Sequence, residues 1–86
     1  MENNLKDQIR TMIAQIGEVE VSEVGDETHL VMDLRLDSLQ ALELLSELES
    51  KYSLKIPQEY LPSFTSVNSL ASLVTELQAQ EAVSAS

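Results

Sequence analysis

Residues 33–52 read DLRLDSLQALELLSELESKY, and most of that stretch spells a helix in its apolar spacing. Leu39, Leu42, Leu45, Leu48 and Tyr52 recur at intervals of three and four, and Ala41 and Leu44 widen the stripe. A stripe of that period is one face of an α-helix, with Glu43, Glu47, Glu49 and Lys51 on the other side. Its start is also marked. Asp37 with Gln40 three residues on fits a capping box, in which each side chain satisfies the other's backbone N–H. The break at Lys55-Ile56 and then Pro57 end the pattern. The spacing predicts a helix over 38–52.

Residues 18–37, just before it, have no helical period. Val19-Glu20-Val21 alternates like a strand, but no second strand exists to pair with it, so the segment is read as a long loop. Within it, Thr28 to Leu34 can form a short helical turn, with Leu30 and Leu34 one turn apart. A loop this long in a small domain is usually functional or disordered. Further back, Leu5, Ile9, Met12, Ile13 and Ile16 mark a first helix. Asn3 or Asn4 can cap its start, and Gly17 sits at its stop. On the other side, Pro57 and Pro62 bracket a short piece holding Tyr60 and Leu61. Thr65 or Ser66 then caps a last helix whose apolar face is Val67, Leu70, Leu73, Val74 and Leu77. The expected fold is all-α: a small four-helix bundle of three main helices plus a short third one, with a long loop between the first two. It occupies residues 1–78 as one domain, with 79–86 a frayed C-terminal tail.

Composition narrows the chemistry. A chain of 86 residues has little room for a large cleft. It has no cysteine, one histidine (His29) and two glycines. That excludes disulfides, thiol nucleophiles, a zinc cluster and a glycine-rich phosphate loop. His29, two residues after Glu27, reads as an ordinary surface residue. Asp26, Glu27, Asp33 and Asp37 lack the alternating ligand pattern of a tight calcium loop, so no metal site is expected. The carboxylates are otherwise solvated and make poor acids or bases. No enzyme is expected. The net charge of −10 would be repelled by a phosphate backbone, so nucleic acid is not a partner. Anionic membranes are disfavoured in the same way, and no apolar run is long enough to insert. A partner should present a basic surface. Glu2, Asp7, Glu18 and Glu20 interrupt the first twenty residues, so a signal peptide is not expected and the cytoplasm is the expected location. The chain is expected to act as a monomer.

The charge is unevenly spread. Residues 18–37 carry seven carboxylates against Arg35, a net −6, whereas 38–60 carry four glutamates against two lysines, a net −2. At the end of the acidic loop stands Ser38, directly behind Asp37 and at the positive end of a helix dipole. A phosphate esterified there would lie near free N–H groups. By position alone, capping of the helix by Asp37 and Ser38 is the stronger reading.

The stretch Asp33-Leu34-Arg35-Leu36-Asp37-Ser38-Leu39-Gln40-Ala41-Leu42-Glu43-Leu44 resembles the acyl carrier proteins, whose signature is Asp-Leu-Gly-x-Asp-Ser-Leu followed by an amphipathic helix with Glu in its second turn. The resemblance continues through Ile56-Pro57 and Phe64-Thr65-Ser66-Val67, and spans about Leu5 to Leu77. It implies a carrier bundle in which the piece near 58–63 is the short third helix. It implies that Ser38 receives 4′-phosphopantetheine from coenzyme A through a phosphopantetheinyl transferase. The arm's thiol then carries an acyl group as a thioester between enzymes of a fatty-acid, lipid or polyketide-type pathway. Asp37 would support attachment by helping orient the transferase and its metal ion. Leu39 would be an exposed apolar contact for partners, and Glu43 and Glu47 would meet basic patches on acyl-loading and acyl-processing enzymes. Leu42, Leu45, Leu48, Ile56, Leu61 and Val67 would line the space where an acyl chain folds in. For most of them, plain core packing accounts for the residue as well.

Four departures from the family pattern stand out. Arg35 replaces the usual Gly, Gln40 replaces an acidic residue, Lys51 and Lys55 stand where fatty-acid carriers tend to be acidic, and Pro62 interrupts the short helix. With so little acidity on the second helix, the chain is expected to be a specialised, free-standing carrier. Two other readings remain: an aminoacyl or peptidyl carrier loaded by an adenylating enzyme, and an acidic interaction domain with Ser38 unmodified.

Overall fold

Each apolar stripe becomes a helix. The computed structural model describes residues 2–85, with side chains described for 5–80. The α-helices are α1 (Glu2–Gly17), α2 (Ser38–Tyr52) and α3 (Val67–Ala85); a 3-10 turn, Val21–Glu23, and a 3-10 helix, Gln58–Ser63, complete the order. No strand occurs among the described residues. This is the expected small all-α bundle, with the 3-10 helix as its short third element.

The helices exist because their apolar faces need one another. Ile9 and Ile13 of α1, Leu44 and Leu48 of α2, and Leu70 and Val74 of α3 are all fully buried in one core. α1 packs against both α2 and α3. The loop between α1 and α2 joins this core as well. Its Val24, Leu30 and Leu36 are buried. Backbone bonds tie it to the start of α3: Leu30 N–H donates to the Thr65 carbonyl at 2.9 Å, and Asn68 N–H to that of Asp26 at 3.1 Å. Arg10 and Lys6 of α1 hold Asp26 from the other side. The acidic loop is thus a fixed part of the fold. The helical turn expected over Thr28–Leu34 is present, with Asp33 N–H donating to the His29 carbonyl at 2.9 Å.

Local expectations fare unevenly. α1 begins at Glu2, so Asn3 and Asn4 lie within it and not ahead of it. Gly17 is its last residue, but the left-handed turn that follows falls on Glu18 (φ 56°). A Cβ at 17 would sit 3.1 Å from Leu36 Cδ2, a tight contact that the leucine side chain would have to yield to. Ser66 caps α3, its Oγ accepting from Ser69 N–H at 3.2 Å. Pro62 lies inside the 3-10 helix and does not interrupt it, because only one i→i−3 bond is lost there. The frayed tail expected over 79–86 falls largely outside the described side chains; the backbone is helical as far as Ala85.

Tyr52, the last residue of α2, donates its hydroxyl to Gln8 Oε1 of α1 at 2.6 Å. Burial pushes its phenol above the ordinary value of 10.0. The folded state therefore holds the proton longer than the unfolded chain. That contribution is complete below about pH 10 and is lost as pH rises through the folded-state value. A Tyr52→Phe variant should show a shallower fall of stability than the parent above about pH 10, read from urea melts along a pH series.

Candidate functional site

The start of α2 is built as its sequence implies. Asp37 is the N-cap, in extended conformation (φ −97°, ψ −178°). Its carboxylate accepts from Gln40 N–H at 2.8 Å, and Gln40 Oε1 accepts from Asp37 N–H at 3.0 Å. Both halves of the capping box are present. Because Asp37 does the capping, Ser38 is released from it. Ser38 is the first helical residue, its side chain is exposed, and its hydroxyl takes part in none of the side-chain hydrogen bonds of the described residues. A hydroxyl at that place points to solvent beside unpaired helix N–H groups, where an attached phosphodiester would be favoured.

Gln40 does more than close the box. Its Nε2 donates to the carbonyl of Ile16, in the last turn of α1, at 3.1 Å. One amide thereby joins both ends of the 18–37 loop and fixes Ser38 relative to α1. An amide can accept from Asp37 and donate to Ile16 together, whereas an ionised carboxylate could only accept. Sequence alone shows the replacement but not its reason, since Ile16 lies 24 positions away. Gln40→Glu keeps the acceptor, loses the donor and sets a carboxylate against a carbonyl. It should cost about 1 kcal/mol, a fall of roughly 4–8 °C in thermal midpoint for a domain of this size, measurable by circular dichroism.

The other expected site residues divide into surface and interior. Leu39 is 72% exposed although its spacing places it in the apolar stripe. Leu44 takes the buried position in its stead. Glu43 and Glu47 are exposed and line a cleft between α1 and α2, together with Met12, Gln15, Ile16, Glu18 and Gln40. Glu18, just past the end of α1, joins them. Glu49, by contrast, is structural: its Oε2 accepts from Ile56 N–H at 2.7 Å and holds the link after α2. Leu45, Leu48, Ile56 and Val67 are buried in the core, and Leu42 and Leu61 are half-buried. The two grooves along α3 are lined instead by residues such as Leu5, Asn68 and Ala71, and Tyr60, Thr65 and Ser69. Arg35 occupies the left-handed region (φ 63°) at the end of the 30–34 turn, where glycine is the unstrained choice. Among the described residues no helix is long and apolar enough to cross a membrane.

Matches to known proteins extend over most of the chain. The family described as "Phosphopantetheine attachment site" matches residues 7–74. The chain is 36% identical over 70 residues to polyketide-8 synthase acyl carrier protein 2 of Streptomyces avermitilis, covering 81% of this chain and 80% of that one. It is 33% identical over 82 residues to an acyl carrier protein of Streptomyces coelicolor, covering 94% and 89%. Among solved structures, the apo doublet acyl carrier protein from prodigiosin biosynthesis superposes with a TM-score of 0.75 at 23% identity, which shows the shared fold. The match covers 86% of this chain and 36% of that doublet chain.

Proposed function

The chain belongs to the acyl carrier protein family, and from that we propose that Ser38 is the residue that bears its prosthetic arm. The protein carries acyl intermediates on covalently attached 4′-phosphopantetheine and is not itself an enzyme. The arm supplies the thiol on which an acyl group is held as a thioester, and the chain has no cysteine to compete with it. The chain interacts with a phosphopantetheinyl transferase and with biosynthetic enzymes. The observation that carries the choice of Ser38 is its exposed, unengaged hydroxyl at the first position of α2, beside a cap supplied by Asp37.

In this reading Asp37 supports attachment by keeping the helix start formed while Ser38 is modified. Leu39, Glu43 and Glu47 meet partner enzymes, apolar contact first and basic groups beside it. Leu42, Leu45, Leu48, Ile56, Leu61 and Val67 are the side chains that must part if an acyl chain is to enter the bundle. The carrier works as a monomer in the cytoplasm, as domain 1–78 with residues 79–86 as a tail. Its cargo belongs to a specialised, polyketide-like pathway. Lys51 and Lys55 and the uncharged Gln40 support that choice, since they leave 38–60 at only −2. Incubation with coenzyme A and a broad-specificity transferase, followed by intact-mass measurement, should show a gain of one arm per chain. No gain would refute the reading of Ser38.

A further inference from the structure

Four large apolar side chains are exposed among the described residues: Val21 at 45%, Val31 at 53%, Met32 at 76% and Leu39 at 72%. All lie between positions 21 and 39, in the loop and the first turn of α2. Along α1, α3 and the rest of α2, the large apolar side chains that are described are buried or half-buried. Exposed apolar groups scattered singly need no explanation, but Val31, Met32 and Leu39 all fall within seven residues of Ser38 along the chain.

Val31 and Met32 are displayed by an ordered turn. His29 Nδ1 accepts from Val31 N–H at 3.2 Å and from Met32 N–H at 3.1 Å. Asp33 Oδ2 accepts from His29 N–H at 2.8 Å, and Arg35 N–H donates to the Val31 carbonyl at 3.0 Å. Buried Leu36, whose N–H donates to the Leu30 carbonyl at 3.0 Å, anchors the turn to the core. Only Leu36 and Asp37 separate Arg35 from Ser38. The turn thus holds two apolar side chains in water a few residues before the attachment residue, while Leu39 is exposed just past it.

We propose that Val31 and Met32 form, with Leu39, an apolar docking surface for the phosphopantetheinyl transferase, whose basic groups lie beside Asp33 and Asp37. The proposal rests on the reading of Ser38 as the attachment residue. The transferase is the occupant because it must reach Ser38 whatever cargo follows, and because exposed carboxylates on a chain of net charge −10 flank the patch and call for a basic rim. Apolar area buried on docking lowers KM without touching the chemical step.

The test uses the full apo chain, coenzyme A and a broad-specificity transferase, with initial rates measured against carrier concentration. Met32→Ser should raise KM for the carrier roughly tenfold at unchanged kcat, and Met32→Leu should restore it. Val31→Ser should act in the same direction. Val21→Ser, at an exposed position seventeen residues before Ser38, should leave KM unchanged. Thermal midpoints near the parent's confirm that these exposed substitutions leave the fold intact. Parental KM values for both Met32→Ser and Val31→Ser would overturn the proposal, and so would a loss confined to kcat. Complete arm incorporation in Met32→Ser after long incubation keeps the Ser38 reading intact in either case, whereas failure of that reading would show as arm uptake by Ser38→Ala.

Discussion

Ser38→Ala should take up no arm from coenzyme A under conditions in which the parent chain is fully converted, and its thermal midpoint should stay close to the parent's. The two halves of that expectation come from the same geometry. Ser38 is exposed, and Asp37 supplies the cap through its bond to Gln40 N–H at 2.8 Å, so removing the hydroxyl breaks no described hydrogen bond. Alanine is also a better helix former than serine, so the stability change should lie within about 0.5 kcal/mol. Function alone should be lost, because the transferred group has no other acceptor with this placement. Intact-mass measurement reads the first half and a thermal melt the second. Asp37→Ala reverses the pattern in part: losing an N-cap costs about 1 kcal/mol and loosens the turn that presents Ser38.

The largest effect on stability should come from Leu48→Ala. Leu48 is 0% exposed, on the face of α2 that enters the common core. Truncating a buried leucine removes its transfer free energy and leaves a cavity, together about 3 kcal/mol. A small domain has about 5–10 kcal/mol in total, so the melting midpoint should fall by roughly 12–24 °C. Leu42→Ala, at a half-buried position of the same helix, should cost distinctly less. Urea titrations of the three proteins would give the ranking. Leu48 is also one of the six side chains proposed to part for an acyl chain, so the substitution that weakens the bundle most also alters that interior.

Much of this was legible in residue types and spacing. Asp37 and Gln40 three apart specify a capping box, and the structure forms one; Ser66 before an apolar run specifies the start of α3. These are local bonds, so local sequence carries them. What escaped the sequence depends on neighbours distant along the chain. Leu39 and Leu44 both satisfy spacings of three and four, and only the packing of α1 decides which is buried. Gln40 meets the last turn of α1 at Ile16, so Leu39 stands where that helix is ending, while Leu44 lies within the bundle. Of the loop's buried residues, Leu30 shares a helical spacing with Leu34, but Val24 and Leu36 follow no helical or strand period, so no pattern marked those two as core. The exposure of Met32 is equally invisible in a sequence where its neighbours Leu30 and Leu34 share its character. The left-handed backbone at Arg35 was foreshadowed by the family's glycine at that place, though the reason for a glycine there, the end of a helical turn, needed the backbone itself.

The central claim is that Ser38, and no other hydroxyl, carries the arm. Trypsin cuts after Arg35 and Lys51 and so releases residues 36–51, which contain Ser38, Ser46 and Ser50. Fragmentation of that peptide from the chain loaded by coenzyme A and transferase should place the whole added mass on Ser38. An arm found on Ser46, on Ser50 or on any other peptide would contradict the account.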